Sequence, residues 1–466
     1  MKHFTLVSLS VFALCFASAQ ADAQTARMHR LNVQTPMRHA PKTVGALLAQ
    51  AADKENATYR PHVQKIYSYN DGDWTEESTY TFQYDQAGRV VCLDIDEEDG
   101  IQRTESTYDA NGMLLTEVNS VSAAGGKTFE PDSKRVQTYD KVLPQLTLTK
   151  DRYTWNADDN EWIATYDAFR REITRDADGN VTSLTLSVPY MGEFDATQRI
   201  TNTFDPVTKQ AVTFKLEEQD ENGEWNTSQY LRDLVWEQTN GQLVDQFDNW
   251  REYGNLVKSA TISEVDETTG ETVDFGKVEV TYKNSAYGQL EFREEINYTD
   301  ELSRSVTGLY YHDSYGSYTN YYYDLEDVNG DGVLSDDEKT YEESAVVSVD
   351  EHGNVVKEEG YMLNDEGTTE QSYGTTYEYT YDPAHSDAAK EIVISEYDYD
   401  AGEYVPTMKI VTENFTSDVT SVGGVKVGMA DDSNAVYNMQ GMRTNGMEKG
   451  ISIVRRDGKT IKILKK

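Results

Sequence analysis

The sequence predicts an all-β protein made of consecutive antiparallel hairpins in a repeat-like sheet, with a small β domain at its C-terminus. Three observations predict this fold class. The 466 residues include 32 Tyr, 13 Phe and 6 Trp but only 9 Pro, and aromatic residues favour strands. Segments such as 80–84, 183–187 and 377–381 alternate apolar and polar side chains, which is the period of a strand. Short turns rich in Asp and Gly separate these segments.

One type of turn is the tetrapeptide Asp-x-x-Gly, which occurs seven times, against roughly three expected from composition. An Asp at the first position accepts a hydrogen bond from the turn backbone, and a Gly at the fourth adopts the left-handed conformation that closes a type I turn with a bulge. We therefore expect positive φ angles at Gly88, Gly112 and Gly179. The seven turns begin at Asp85, Asp109, Asp176, Asp220, Asp313, Asp327 and Asp350.

A second type of turn is acidic or Asn-rich and ends at an aromatic residue: Trp74, Trp162, Trp225 or Tyr404. The two types alternate along the chain, so the unit is strand, polar turn, aromatic residue, strand, Asp-x-x-Gly, strand. These aromatic rings, and those within 310–323, either stack on sugar rings through their apolar faces or pack across neighbouring strands. Cross-strand packing is the favoured interpretation.

The Tyr-Asp pairs at Tyr84-Asp85 and Tyr108-Asp109 give residues 63–416 a family resemblance. This region resembles the YD-repeat-like secreted proteins of Bacteroidota, although Arg175 and Val349 replace the Tyr in two of the turns. The resemblance implies a repeat scaffold and specifies no activity.

The first 23 residues are typical of a signal peptide, with a basic start, an apolar run of 4–19 and small-x-small cleavage sites at 17–19 and 21–23. The apolar run is too short to span a membrane comfortably. A buried N-terminal helix and lipidation at Cys15 are the alternatives, and Leu14 before that cysteine disfavours the second. Residues 24–62 form a spacer in which 44–55 is expected to be a short helix.

Removal of the signal peptide leaves Cys92 as the only cysteine, so an internal disulfide is excluded. Cys92 lies in an apolar run and is expected to be buried and structural rather than reactive.

The 82 Asp and Glu exceed the 42 Lys and Arg, giving a formal net charge of −40. This charge disfavours nucleic acid as a partner and docking on anionic membranes.

Residues 327–338, DVNGDGVLSDDE, match a calcium-binding loop. The predicted ligands are side-chain oxygens at positions 1, 3, 5, 9 and 12 and a backbone carbonyl at position 7, with Gly332 at the sharp turn and Leu334 as the apolar anchor. They are Asp327, Asn329, Asp331, Val333, Ser335 and Glu338. The loop resembles EF-hand and dockerin loops, but 318–323 before it favours a strand, and only 335–343 after it fits a helical turn. An acidic hairpin turn without an ion is the alternative.

The C-terminal segment reverses the sign of the charge. Residues 421–466 carry nine basic and four acidic residues, so the remainder of the chain is strongly acidic. The patterns at 435–443 and 449–454 resemble the type A sorting domain of type IX secretion, with Thr444 and Ser452 departing from it. The resemblance implies the type IX machinery as a partner. A last hairpin layer of the body and a patch for polyanions are the alternatives.

The chain is therefore expected to comprise a signal peptide (1–23), a spacer (24–62), a hairpin body (63–416), a linker (417–424) and a sorting-like β domain (425–466). Motifs for serine hydrolases, zinc proteases, P-loops and dinucleotide sites are absent from the sequence. We expect a non-catalytic surface or secreted scaffold, stabilised by Ca²⁺, that binds an extracellular glycan or protein. The alternative is a hydrolase of extracellular polymers that uses an Asp/Glu pair in a cleft.

Overall fold

The computed structural model describes residues 59–416, apart from 124, 127, 266–268, 300–301 and 365, together with short backbone segments of the C-terminal region. At 385–387 only the backbone is described. The chain divides into two compact units, Met1–Val419 and Thr420–Lys466. The predicted signal peptide, the spacer helix and the linker lie outside the described residues.

The described part of the first unit is built from 23 strands, which together account for most of it. They are β1 Arg60–Asn70, β2 Asp73–Tyr84, β3 Val90–Glu97, β4 Gly100–Tyr108, β5 Leu114–Ala123, β6 Glu130–Tyr139, β7 Thr147–Asn156, β8 Glu161–Ala164, β9 Phe169–Arg175, β10 Val181–Tyr190, β11 Glu193–Phe204, β12 Ala211–Gln219, β13 Trp225–Gln238, β14 Leu256–Val265, β15 Thr272–Asn284, β16 Leu290–Tyr298, β17 Ser303–Tyr311, β18 Tyr318–Glu326, β19 Lys339–Val349, β20 Val355–Leu363, β21 Thr369–Asp382, β22 His385–Asp398 and β23 Glu403–Thr416.

These strands form one antiparallel sheet that closes on itself. Successive strands pair with each other, except that β8 and β9 both pair with β7 and so share one position in the sheet. The sheet closes because β1 pairs with β23 as well as with β2. At this seam Gln64 is buried and its side-chain amide donates a hydrogen bond to the Thr412 hydroxyl at 3.0 Å. Closure leaves neither β1 nor β23 with an open edge.

The all-β prediction is confirmed, and the hairpins follow one another along the chain. The expected repeat-like sheet, however, is instead a closed barrel. The difference arises at the pairing of β1 with β23, which joins residues more than 300 positions apart. Local alternation of side chains specifies a strand but carries no information about such a distant partner.

The connections alternate between the two ends of the barrel, because every strand is antiparallel to its neighbours. We call the end that carries the hairpins of Trp74, Trp162 and Trp225 the tryptophan end. The opposite, aspartate end carries five of the seven Asp-x-x-Gly turns, those beginning at Asp85, Asp109, Asp176, Asp313 and Asp350. The other two, at Asp220 and Asp327, lie at the tryptophan end. The alternation of two turn types in the sequence therefore corresponds to the two ends of the barrel.

The Asp-x-x-Gly turns have the expected backbone. At Asp176 the carboxylate accepts hydrogen bonds from the backbone N–H groups of Asp178 and Asn180, both at 2.9 Å. The φ angles of Gly88, Gly112 and Gly179 are 79°, 88° and 88°, which confirms the prediction. Ser285 and Asn364 begin turns of the same form, and the sequence search missed them because it required Asp at the first position.

Replacing Gly179 with valine is expected to lower the free energy of unfolding by about 1–3 kcal/mol, because a β-branched residue is strained at positive φ. A Cβ at this position meets no other atom within 4 Å, so the cost isolates backbone strain from steric clash. Gly179→Asn is the matched control, since Asn tolerates the left-handed region. Urea unfolding measures both variants, and equal losses for Val and Asn would contradict the turn assignment.

Several strands that end at the aspartate end are tied to the start of the preceding strand by an aromatic side chain. The bonds are Tyr84 to the Pro61 carbonyl at 2.6 Å, Tyr108 to Val90 at 2.8 Å, Tyr139 to Leu114 at 2.8 Å, Tyr379 to Val355 at 3.0 Å and Trp236 to Ala211 at 2.8 Å. In the first three, the tyrosine directly precedes the Asp of the turn. The Tyr-Asp pair thus has a structural role: the Asp orders the turn and the Tyr joins two strands beside it.

The buried apolar side chains form two main clusters. The first core lies on strands β10–β16 and includes Val181, Phe214, Leu231 and Val278, each fully buried. The second lies on β1, β2 and β19–β23 and includes Phe82 and Ile410. Cys92 is 8% exposed, and burial raises the pKa of its thiol to about 11. The expectation that Cys92 is buried is confirmed, and a raised thiol pKa favours the structural role expected for it.

The connection between β13 and β14 folds back onto the first core. It contains a 3-10 helix, Phe247–Tyr253, whose Trp250 is 1% exposed. The Trp250 ring contacts those of Phe214 and Trp236 at centroid distances of 4.9 and 5.4 Å. Arg251 beside it forms an ion pair with the buried Glu294. This connection therefore fills part of the core that the strands alone leave open.

The second unit contains short strands β24 Val436–Tyr437, β25 Arg443–Thr444, β26 Gly450–Arg456 and β27 Lys459–Lys465. They form a sheet in the order β25-β24-β26-β27. The two patterns that resemble a sorting domain lie on strands that pair with each other, through Val436 with Val454 and Tyr437 with Ile453.

Candidate metal centre

The predicted calcium loop is the connection between β18 and β19 at the tryptophan end. Both flanks are strands, and Leu325 and Lys339 are cross-strand partners next to the loop. The strand predicted before the loop is confirmed. The sequence allowed a helical turn at 335–343. The structure has no helix from Lys339 onward, because those residues pair with β18 and form β19. An ion here would fasten a hairpin, not a pair of helices.

The side chains of the first half of the loop are folded into it. The Asp327 carboxylate accepts hydrogen bonds from the backbone N–H groups of Asp331 and Gly332, each at 3.0 Å. Asn329 Oδ1 accepts one from Asp331 at 2.8 Å, and Asp331 Oδ1 accepts one from Val333 at 2.8 Å. Gly332 has a φ of 81°, which allows the sharp turn expected at this position.

Glu338 closes the loop from its other end. Its side chain is buried, and Oε2 accepts hydrogen bonds from the backbone N–H and the hydroxyl of Ser335 at 3.1 and 2.9 Å. Its Oε1 accepts one from the Asn329 backbone at 3.2 Å. Both carboxylate oxygens are thus directed at the loop, where a bidentate ligand is needed.

The donor set of the loop fits a hard divalent cation, because every candidate ligand is an oxygen. The described residues do not already form a closed metal site: no three His, Cys, Asp or Glu side chains among them are gathered closely enough to hold an ion. The carboxylates of Asp327, Asp331 and Glu338 would therefore exchange their backbone partners for the ion on binding. The six predicted ligands lie in one connection, and their assignment stays a prediction.

Leu334 is the apolar anchor of the loop. It packs against a small third cluster made of Val306, Tyr323 and Leu325 on β17 and β18. Lys339 follows the loop, with its ammonium 4.6 Å from the centre of the Tyr323 ring. The loop is thus attached to the barrel wall at both ends, so ordering the loop also orders this cluster.

The aromatic residues at the polar turns pack against neighbouring strands. Trp74 lies 4.9 Å from Tyr69, and the Lys409 ammonium lies 4.7 Å from the Trp74 ring. Trp162 contacts Trp155 at 5.1 Å. Cations also lie over the rings of Trp225 and Tyr404, from Arg199 at 4.4 Å and Lys357 at 5.2 Å. Cross-strand packing and cation–π contact therefore account for these residues.

Other apolar side chains of the tryptophan end remain exposed. On the neighbouring hairpins β7–β9 and β10–β11, the exposed fractions are 80% for Tyr166, 59% for Tyr190 and 84% for Met191. Met191 has a positive φ of 48° in the two-residue turn before Gly192, which holds its side chain at the hairpin tip. We call Tyr166, Tyr190 and Met191 the exposed tip patch. No local sequence pattern predicts this patch, because the exposure of its residues depends on the neighbouring hairpins.

Two buried glutamates of the barrel wall, Glu217 and Glu291, have partners that favour the ionised form. Glu217 forms ion pairs with Arg199 and Lys215, and these outweigh burial and lower its pKa. The Tyr311 backbone N–H holds the pKa of Glu291 below its usual value, aided by Lys283. A general acid of a glycosidase needs a raised pKa, so neither residue fits that role.

Comparisons with known proteins give little further information. No family model matches the chain, and no curated protein matches it. A Bacteroides fragilis protein of unknown function covers 28% of this chain and 91% of its own, with 21% identity and a TM-score of 0.19. A porin-like protein from Bacteroides uniformis covers 76% of this chain and 97% of its own, with 9% identity and a TM-score of 0.19. These low scores support no argument about function.

No helix among the described residues is long and apolar enough to cross a bilayer.

Proposed function

We propose that the chain is an exported, non-catalytic β scaffold, stabilised by one Ca²⁺, that binds an extracellular glycan or protein. The main support is the arrangement of the tryptophan end. It carries both the loop 327–338 and the exposed tip patch, so the proposed metal loop and the apolar contact surface lie at the same end of the barrel. Exposed apolar patches on a folded surface mark interaction sites.

Export is proposed from the two ends of the sequence. The signal-like residues 1–23 would direct the chain across the inner membrane, and the sorting-like residues 425–466 would engage the type IX machinery. The Tyr-Asp turns of the body are compatible with a YD-repeat-like secreted protein of Bacteroidota. The proposed location is accordingly the cell surface or the extracellular medium.

Deleting residues 425–466 is expected to leave the body folded and calcium-responsive but trapped in the periplasm. The physical reason is that the boundary between the two compact units falls between Val419 and Thr420 along the chain, so the first unit keeps its own sheet and cores after the deletion. Cell fractionation and thermal unfolding of the truncated chain measure the two effects. An unfolded body, or a truncated chain that still reaches the cell surface, would disprove the sorting role.

The alternative is an extracellular polymer hydrolase that uses an Asp/Glu pair. Its acid would need a carboxyl group with a raised pKa. The buried Glu217, Glu291 and Glu294 are instead engaged by cations or a backbone N–H. These contacts favour the scaffold over the hydrolase.

A glycan array and a pulldown with the mature body test the binding role. The double variant Tyr190→Ser, Met191→Asn removes apolar area from the exposed tip patch, and Asn tolerates the positive φ at that turn. Tyr315→Ser is the control, because Tyr315 is 53% exposed but lies at the aspartate end. We expect the double variant to lose most binding and the control to keep it. Equal binding by both variants would exclude the patch as the contact surface.

A further inference from the structure

Four cations of β6, β7 and β9 lie on one face of the sheet. Arg135 and Arg152 are direct cross-strand partners in β6 and β7. Lys150 is two residues before Arg152, and its partner in β9 is Phe169, two residues before Arg171. Because side chains alternate between the two faces of a strand, all four cations share a face. The Arg171 guanidinium reaches the Thr147 carbonyl, away from Arg152, so only Arg135, Lys150 and Arg152 lie close enough to act together, and we call these three the cation cluster.

The cation cluster lies on the core-facing side of the sheet. Ile173 is two residues after Arg171 on β9, so it projects to the same side, and it packs against the first core. Asp151 and Arg170 alternate with the cluster residues and form their own ion pair on the opposite face. The cluster is therefore separate from the cation–π contacts of the polar turns.

Two carboxylates share this face but do not balance it. Glu117 forms an ion pair with Arg135 at 2.8 Å, and Asp167 pairs with Lys150 at 2.8 Å and Arg152 at 2.9 Å. Arg171 donates to the Thr147 carbonyl at 3.1 Å and lies 4.9 Å from the Phe169 ring. The three positive charges of the cluster and these two negative charges leave a formal +1, in a chain whose net charge is −40.

The cluster has unused capacity for an anion. Like charges directly opposite each other across a strand pair destabilise the sheet, and Arg135 and Arg152 are such a pair. Arg135 Nε is buried with no hydrogen-bond partner among the described residues, and a buried donor without a partner costs free energy. Lys150, with further contributions from Arg152 and Arg135, lowers the pKa of Asp167. The exposed carboxylate of Asp167 is thus a shared counterion of three cations.

We infer that the cation cluster binds a tetrahedral oxyanion, a sulfate or phosphate group, carried by a sugar. Arginine forks match the oxygen geometry of such groups, and bonds between charged partners are the stronger class. Arg152 is 46% exposed at its side chain, so a ligand has access to at least one fork. The sheet register assembles this site from strands separated in sequence.

A neighbouring aromatic residue favours an oxyanion borne by a sugar over a free ion. Tyr166 directly precedes Asp167 in the segment between β8 and β9, and its side chain is 80% exposed. The Thr165 backbone N–H donates a hydrogen bond to the Arg152 carbonyl at 2.9 Å, which holds this segment beside β7. Because Asp167 contacts two of the cations, the exposed ring of Tyr166 is an apolar surface one residue from the site for a sugar ring to contact.

This inference names a ligand class for the proposed binding role, and it rests on the proposed function through that binding role alone. Export and the calcium response do not depend on the cation cluster. If the wild-type body is exported normally but does not bind the oxyanions, only this inference is overturned. If the body binds them but is not exported, only the proposed location is overturned.

Calorimetric titration of the mature body at low ionic strength tests the site with sodium sulfate, sodium phosphate, glucose 6-sulfate and glucose. Arg152→Gln and Arg135→Gln each remove one cation of the cluster. Lys277→Gln is the matched control, because Lys277 pairs with Glu279 on β15 and its side chain is 57% exposed. We expect about tenfold weaker binding of glucose 6-sulfate for either arginine variant and no change for the control.

Two further variants separate the parts of the inference. Arg152→Lys keeps the charge but not the fork, so binding falls between that of the wild type and that of Arg152→Gln. Tyr166→Ala weakens glucose 6-sulfate but not free sulfate. Equal weakening by Lys277→Gln, equal affinity for glucose and glucose 6-sulfate, or no binding of either oxyanion would overturn the site. A free sulfate affinity equal to that of glucose 6-sulfate would overturn the sugar-borne ligand.

Discussion

Replacing Trp250 with alanine should lower the free energy of unfolding by about 3–5 kcal/mol, the usual cost of removing a buried aromatic side chain. Trp250 is 1% exposed and contacts Phe214, Trp236 and Phe247 through its ring. Its indole N–H also donates to the Asp245 carbonyl at 2.8 Å. The variant therefore leaves a cavity and an unsatisfied carbonyl in the first core.

Trp74→Ala is the control for this experiment. Trp74 lies at a polar turn and contacts Tyr69 and Lys409 at the surface, so we expect a loss of only about 1–2 kcal/mol. Urea unfolding followed by circular dichroism gives both free energies. Equal losses for the two variants would show that the connection between β13 and β14 does not belong to the core.

Calcium should raise the free energy of unfolding by about 2.7 kcal/mol when its free concentration is 100 times its Kd, since an ion that binds only the folded state stabilises it by mass action. The carboxylates of the loop repel one another without the ion, and the ion neutralises them. Asp327→Ala and Glu338→Gln should each remove this gain. Urea unfolding in calcium and in chelator measures it.

Asp220→Ala is the matched control for calcium. Asp220 begins an Asp-x-x-Gly turn at the same end of the barrel and accepts hydrogen bonds from Asn222 and Glu224. The variant should lower stability by the same amount with and without calcium, because it removes a turn contact and no ligand. An identical unfolding curve for the wild type in calcium and chelator would disprove the metal site.

The local structure was predictable because its causes are local. Positive φ at Gly88 and Gly179, burial of Cys92 and a strand before Asp327 all follow from residues within a few positions. The closure of β1 onto β23 was not predictable, because its contacts, such as Gln64 with Thr412, join the two ends of the body. A strand edge has no sequence pattern that specifies a partner at such a distance.

The candidate sites differ in the same way. The calcium loop is one continuous segment, so its ligand spacing was readable from the sequence, and the strand before it followed from its first flank. The cation cluster was missed, because Arg135 and Arg152 become neighbours only through the register of β6 and β7. The exposed tip patch was missed for a similar reason, since Tyr166 and Met191 lie on different hairpins.

The proposal of a scaffold that binds and does not cleave is tested most directly by the length of a captured polymer. The immobilised mature body is incubated in calcium with the extracellular polysaccharides that the glycan array identifies, and the bound and unbound fractions are sized by chromatography. The account predicts that polymer is retained at unchanged length, with no new reducing ends. Shortened chains, in either fraction, would contradict it and establish a hydrolase instead.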